Sequence, residues 1–144
     1  MRARVFIARL GAALGMALAA AAPAGAQVER LAAASNTAIS ITGDVTMDDF
    51  SIVFENGAEL AFSDLVADSF VADGQRVPAS VYRVETPADP ELLNGNQLCG
   101  AGDVTYLASW LAGDDLTAIA VFTGDEPPQS DAEMCASYFY AVAP

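Results

Sequence analysis

The stretch DFSIVFENG at residues 49–57 alternates with a period of two and stops on Asn56-Gly57. Phe50, Ile52 and Phe54 take one face, and Ser51, Val53 and Glu55 take the other. A side-chain period of two belongs to a strand, because helical neighbours on one face recur every three to four residues. Asn-Gly accepts the positive φ angles of a two-residue hairpin turn, so the chain is sent back on itself. AELAFSDLV (58–66) reads as the returning strand.

The same grammar recurs along the chain. DVTYLASWLA (103–112) and LTAIAVFTG (116–124) form a second hairpin around Gly113-Asp114-Asp115. Val104, Tyr106, Ala108 and Trp110 share one face of the first strand. Leu116, Ala118, Ala120 and Phe122 share one face of the second. The opposite faces carry Leu107, Leu111, Ile119 and Val121, so both strands are expected to be covered on two sides. AISITGDVTM (38–47) reads as a strand bent at Gly43. Asp73-Gly74 marks a turn, and a strand follows from about Ala79, with Pro78 tolerable only near its start or on an edge. Asp89 before PELLNG signals a short helix ended by Gly95. DEPPQSD (125–131) is a loop, AEMC (132–135) a candidate helical turn, and ASYFYAVA (136–143) a last strand. The sum is about six to seven short strands with one or two short helical turns. The expected class is all-β and mainly antiparallel, a small single-domain β-sandwich or β-barrel over residues 37–144. QVERLAAASN (27–36) reads as a flexible N-terminal segment or one turn of helix.

The first 26 residues read differently. Arg2, Arg4 and Arg9 precede a 13-residue run of apolar or small residues, Leu10 to Ala22. Pro23 and AGA follow, with Ala24 and Ala26 in the A-x-A pattern of a signal peptidase site. The run is shorter than the roughly 20 residues needed to span a bilayer, so residues 1–26 are expected to be a secretory signal peptide rather than an anchor. No Cys follows the run, and no later segment is apolar enough to span. The expected location is the periplasm or the medium outside a bacterial cell.

Export gives the two cysteines a meaning. Cys99 and Cys135 are the whole cysteine content, and an oxidising compartment favours joining them. A reactive thiolate would need His, Lys or Arg beside it, or a CxxC pair. The chain has no His and no Lys, and the cysteines are far apart. LLNGNQLCGAG (92–102), with its Asn and Gly residues around Cys99, is therefore expected to be a turn that delivers a disulfide.

Missing residue types limit the chemistry. Without His there is no Ser-His-Asp or Cys-His machinery and no ordinary zinc site. No nucleotide-binding or metalloprotease motif is present. All 19 acids but only three of the six bases, Arg30, Arg76 and Arg83, lie beyond the leader, so the exported part is more acidic than the full chain's −13. That surface repels nucleic acid and anionic lipid. It suits solubility, a salty medium or a basic partner. Abundant Ala and absent Lys also fit a GC-rich genome.

Three further readings concern sites. Asp48-Asp49, Asp114-Asp115 and Asp125-Glu126 are adjacent carboxylates, but neighbours on a strand point to opposite faces and do not make a hydrolase pair by themselves. Asn94, Asn96 and Asp103, or Asp114 and Asp115, are weak calcium candidates in loops without EF-hand spacing. Tyr106, Trp110, Tyr138 and Tyr140 are candidates for lining a pocket for a small apolar or sugar-like ligand, or they are core. No other cofactor is expected. The leading functional expectation is a non-enzymatic binding or interaction protein for a small ligand or protein partner. A carboxylate-based hydrolase and an acidic envelope-associated structural protein are the alternatives.

Overall fold

Eight antiparallel strands form a meander that closes on itself in the computed structural model, which describes residues 28–113 and 115–143. The strands are β1 (Glu29–Ala33), β2 (Val45–Met47), β3 (Ser51–Val53), β4 (Glu59–Ala72), β5 (Gln75–Ala88), β6 (Val104–Leu111), β7 (Leu116–Phe122) and β8 (Ala136–Val142). Each pairs with its neighbour in sequence, and β1 also pairs with β8, Leu31 opposite Val142 and Ala33 opposite Tyr140. The all-β antiparallel expectation holds, and of its two architectures the barrel is the one formed. The expected count of six to seven strands is too low by one or two. The leader at residues 1–26 and Asp114 lie outside the described residues.

The Asn56-Gly57 hairpin forms as its chemistry demands. The Phe54 amide donates to Ala58 O at 2.8 Å, the Gly57 amide to Phe54 O at 2.9 Å, and the Ala58 amide to the Asn56 side chain at 3.0 Å. Asp73 and Gly74, both at positive φ, turn β4 into β5. These two strands run for 14 residues each, and register shifts break their ladder between Phe62 and Ser69. Such bulges bend a strand. Pro78 stands opposite Ser69, beside the last shift, where it breaks no regular ladder. Beyond the bend the hairpin lies across the outside of β6 and β7. Phe70 is fully buried there, 5.1 Å from the Trp110 ring and 5.9 Å edge-on to Phe122. The Val71 amide donates to Gln129 O and the Asp73 amide to the Asp131 carboxylate.

Two apolar clusters result. The larger fills the barrel with Leu31, Val45, Ile52, Phe62, Leu107, Ile119, Val121, Tyr138 and others. The smaller lies between the folded-over hairpin and the outer face of β6 and β7, with Phe70, Val81, Tyr106, Ala108, Ala120 and Phe122. This is why β6 and β7 are apolar on both faces. The outward positions Glu59, Asp64, Arg83 and Glu85 are exposed. An apolar inside and charged outside is the reverse of a lipid-facing barrel. Among the described residues no helix is long and apolar enough to cross a membrane.

Two local expectations need correction. The segment expected to be loose at 27–36 carries a strand, since β1 occupies Glu29–Ala33 and seals the barrel between β2 and β8. Residues 38–47 are not one bent strand. Ala38–Thr42 is a helical turn, and β2 starts only after Gly43, at φ 64°. Side-chain bonding explains the difference. Ser35 Oγ accepts from the Ala38 amide, Ser40 donates to Asn36 O, and Thr42 donates back to Ala38 O. Hydroxyls that bond nearby backbone in this way compete with the strand ladder. Ala38 and Thr42 are fully buried, so the turn plugs one end of the barrel.

Candidate functional site

The two ends of the barrel differ. At the plugged end the Thr42 hydroxyl meets the Tyr140 hydroxyl at 2.7 Å. Leu92 and Leu98 are buried against the same core, and the Tyr138 hydroxyl donates to Leu98 O at 2.5 Å. The Asn94 and Asn96 amides both donate to Ser40 O, tying the 92–102 loop to the plug. The short helix expected between Asp89 and Gly95 is only a 3₁₀ turn, Leu93–Gly95, with Asn94 in the left-handed region. Asp89 does not cap that helix. Its two carboxylate oxygens accept from the amides of Cys99 and Gly100, each at 2.8 Å. Cys99 is bonded to Cys135, with Cα atoms 5.7 Å apart, so the loop is fastened to the start of β8. The cysteine loop is a staple for the closed end.

The opposite end is open. It is bounded by the start of β1, the β2–β3 turn, the β6–β7 turn and the base of the β4–β5 hairpin. A cavity of about 450 Å³ there is lined by Glu29, Ser80, Ser109 and Thr117 together with Val77, Pro78, Trp110 and Leu111. A second cavity of about 170 Å³ shares Glu29, Ser80 and Ser109 and adds Asp48, Asp49 and Tyr82.

Strand parity explains the polar side. Inward positions alternate, and Tyr82, Leu107 and Ile119 mark the inward register of β5, β6 and β7. Ser80, Ser109 and Thr117 are the inward residues one step nearer the open end. Ser80 stands directly opposite Ser109, and Ser109 opposite Ile119. Ser80, Ser109 and Thr117 thus stand on three adjacent strands at the end of an inner face that is apolar further in. Thr117 is only 4% exposed, and its hydroxyl has no hydrogen-bond partner. A buried hydroxyl left unpaired costs about 1–3 kcal/mol, so its retention calls for an explanation.

The floor and rim have their own chemistry. Tyr82 stacks on Phe62 at 4.4 Å and donates its hydroxyl to Asp49 at 2.7 Å. Burial first, and then that bond, push the Tyr82 phenol up to about 12. Asp48 Oδ1 accepts from the amides of Phe50 and Ser51, so one of its oxygens builds the β2–β3 turn. Phe50, Leu65, Leu111 and Val142 are exposed large apolar residues, up to 76% for Leu111. Three of them stand on inward register, Leu65 opposite Tyr82, Leu111 opposite Thr117 and Val142 opposite Leu31, and Phe50 lies in the β2–β3 turn. They form an apolar collar.

The sequence-derived candidates are not brought together. Tyr138 and Tyr140 are interior core, whereas Tyr106 lies in the outer cluster with Arg83 5.4 Å over its ring. Only Trp110 reaches the open-end cavity. The calcium candidates are also divided. Asn94 and Asn96 serve the plug, and Asp103 and Asp115 flank opposite ends of β6, a strand roughly 26 Å long at about 3.3 Å per residue. Asp114 lies outside the described residues. Among the described residues no three His, Cys, Asp or Glu side chains gather as a metal site. Glu29, Ser80, Ser109 and Thr117 went unnoticed in the sequence. Their only signal is a polar residue on an otherwise apolar register, as with Ser109 between Leu107 and Leu111.

Comparison with protein-family models, with curated proteins and with solved structures finds no match.

Proposed function

We propose that this chain is an exported, non-enzymatic binding protein whose ligand site is the open mouth of the barrel. The observation that supports it most is the open-end cavity itself, where Ser80 and Ser109 stand opposite each other at the end of an apolar inner face. Ser80 and Ser109 give a ligand in the mouth two hydroxyls to bond, beside the apolar residues Val77, Pro78 and Leu111. Ligand pockets of this kind combine apolar walls with a few placed polar groups, often in the mouth of a barrel. The disulfide at the other end fits an oxidising location outside the cytoplasm and holds the scaffold rigid.

Native mass spectrometry of the protein, purified gently from its own host's exported fraction, tests this reading. The expected result is a retained small molecule that is lost from a Ser109→Trp variant, in which the mouth is filled. Retention of the same adduct by that variant would place binding elsewhere. A clean apo mass, with cross-links from the outer acidic surface to cell-wall material, would replace this reading with an envelope-associated role.

A further inference from the structure

We propose that Asn94-Gly95 is a site of spontaneous modification, where Asn94 turns into an acid in the folded protein and so releases the 92–102 loop from the barrel plug. The inference is independent of what the mouth binds. Asn is among the thermally labile residues. It reacts most readily before Gly, which has no Cβ to crowd its nitrogen. That nitrogen gives up its proton and attacks Cγ of the Asn side chain. An N–Cγ bond forms, the Cγ–Nδ2 bond breaks, and ammonia leaves carrying the proton. Water then opens the cyclic imide at either carbonyl, leaving aspartate or isoaspartate. No reagent beyond water is needed.

The chain has two Asn-Gly pairs, Asn56-Gly57 and Asn94-Gly95, and both are exposed. Their surroundings differ. At the first pair every reacting group is held. The Gly57 amide donates to Phe54 O at 2.9 Å, Asn56 Oδ1 accepts from the Ala58 amide at 3.0 Å, and Asn56 Nδ2 donates to Glu91 O at 2.9 Å. Attack there must take the hairpin turn apart. At the second pair no comparable bond holds the Gly95 amide among the described residues. Asn94 is tied through Nδ2 alone, to Ser40 O at 3.0 Å. Each Asn thus has one Nδ2 bond to lose, and Asn56-Gly57 has two bonds more. That difference should make Asn56 slower by roughly tenfold or more.

The product removes the tie. The Asn94 amide donates to Ser40 O, whereas an ionised carboxylate only accepts. Oxygen would then face oxygen across the contact. The other side-chain amide on Ser40 O, from Asn96, stands at 3.4 Å, a long bond. Glu91 adds to the effect, since its carboxylate lies 3.9 Å from where a Gly95 Cβ would stand, and a new charge at position 94 meets it across the same turn. Ser40 belongs to the Ala38–Thr42 turn that plugs the barrel. Without the tie the loop stays fastened at its base by Asp89 and the disulfide, while residues 93–97 come away from the plug.

The test keeps the folded, disulfide-intact protein in warm, mildly alkaline buffer, digests it, and reads acid at Asn56 and Asn94 by peptide mass spectrometry, with isoaspartate marked by enzymatic methylation. Acid is expected to build up at Asn94 roughly tenfold faster than at Asn56, and the two rates should converge in the reduced protein unfolded in urea. Equal rates in the folded protein, or a faster Asn56, would overturn the assignment. Protection of both residues by folding would overturn it as well. Asn94→Gln keeps an amide donor but must close a larger ring, so it should halt the reaction there and leave Asn56 unchanged. Asn94→Asp copies the product. In that variant amide exchange should rise severalfold at residues 93–97, with β6 to β8 as protected as in the parent. Unchanged exchange at 93–97 would overturn the release of the loop, whatever the chemistry at Asn94.

Discussion

Replacing Thr117 with Val removes a buried, unpartnered hydroxyl and keeps the shape of the side chain. In a purely structural position that hydroxyl is a cost. The variant is therefore expected to be more stable than the parent by about 1 kcal/mol, read from its urea midpoint, and a lower midpoint would show that the hydroxyl is bonded in solution. The buried phenols make a second prediction at this scale. Burial is the largest cause that raises Tyr82 and Tyr138 to about 12, aided by Asp49 and by the charge of Asp89 respectively, and burial raises Tyr140 further. A phenol whose folded pKa exceeds its ordinary 10 stabilises the fold fully below pH 10. That contribution falls as pH rises through about 12, because the unfolded chain releases the proton first. Phenolate absorbance from these three residues should therefore appear together with loss of the far-ultraviolet β signal, rather than before it.

Two elements carry most of what lies outside the regular barrel. The 92–102 loop is held by the Asp89 carboxylate, by the Ser40 carbonyl contacts and by the Cys99–Cys135 bond, which spans 36 residues. The chain-entropy model puts such a closure at about 4 kcal/mol. The double variant Cys99→Ser, Cys135→Ser should lose that amount in urea unfolding, and an unchanged midpoint would show the bridge to be energetically idle. The folded-over β4–β5 hairpin is held mainly by Phe70. Phe70→Ala should cost about 3–5 kcal/mol, and increased amide exchange should concentrate in residues 66–79 before the barrel opens. Both elements were only partly readable in sequence. Asp73-Gly74 marks the hairpin turn plainly. The bulges between Phe62 and Ser69 have no local signature, and without them 67–77 looks ambiguous. Asp89 has the composition of a helix cap, yet its oxygens are claimed by amides ten and eleven residues away.

At the scale of the whole molecule, acidity and closure dominate. With 19 acids against six bases, the chain repels itself, and added salt screens that repulsion within about 10 Å at 0.1 M. Raising sodium chloride should increase the melting midpoint, by about 4 °C for each kcal/mol of repulsion removed. What the sequence by itself determined is local. Period-two alternation, Asn-Gly and Asp-Gly turns, and two cysteines were enough for antiparallel strands, their hairpins and the staple, because each depends on neighbours a few residues apart or on a single possible pairing. The tertiary structure alone decided that Glu29–Ala33 joins β2 to β8, since either sheet of a sandwich or the wall of a barrel alternates alike. It also decided the site. Ser80, Ser109 and Thr117 are ordinary polar residues along the chain, and only the register across β5, β6 and β7 sets them in one row at the open end.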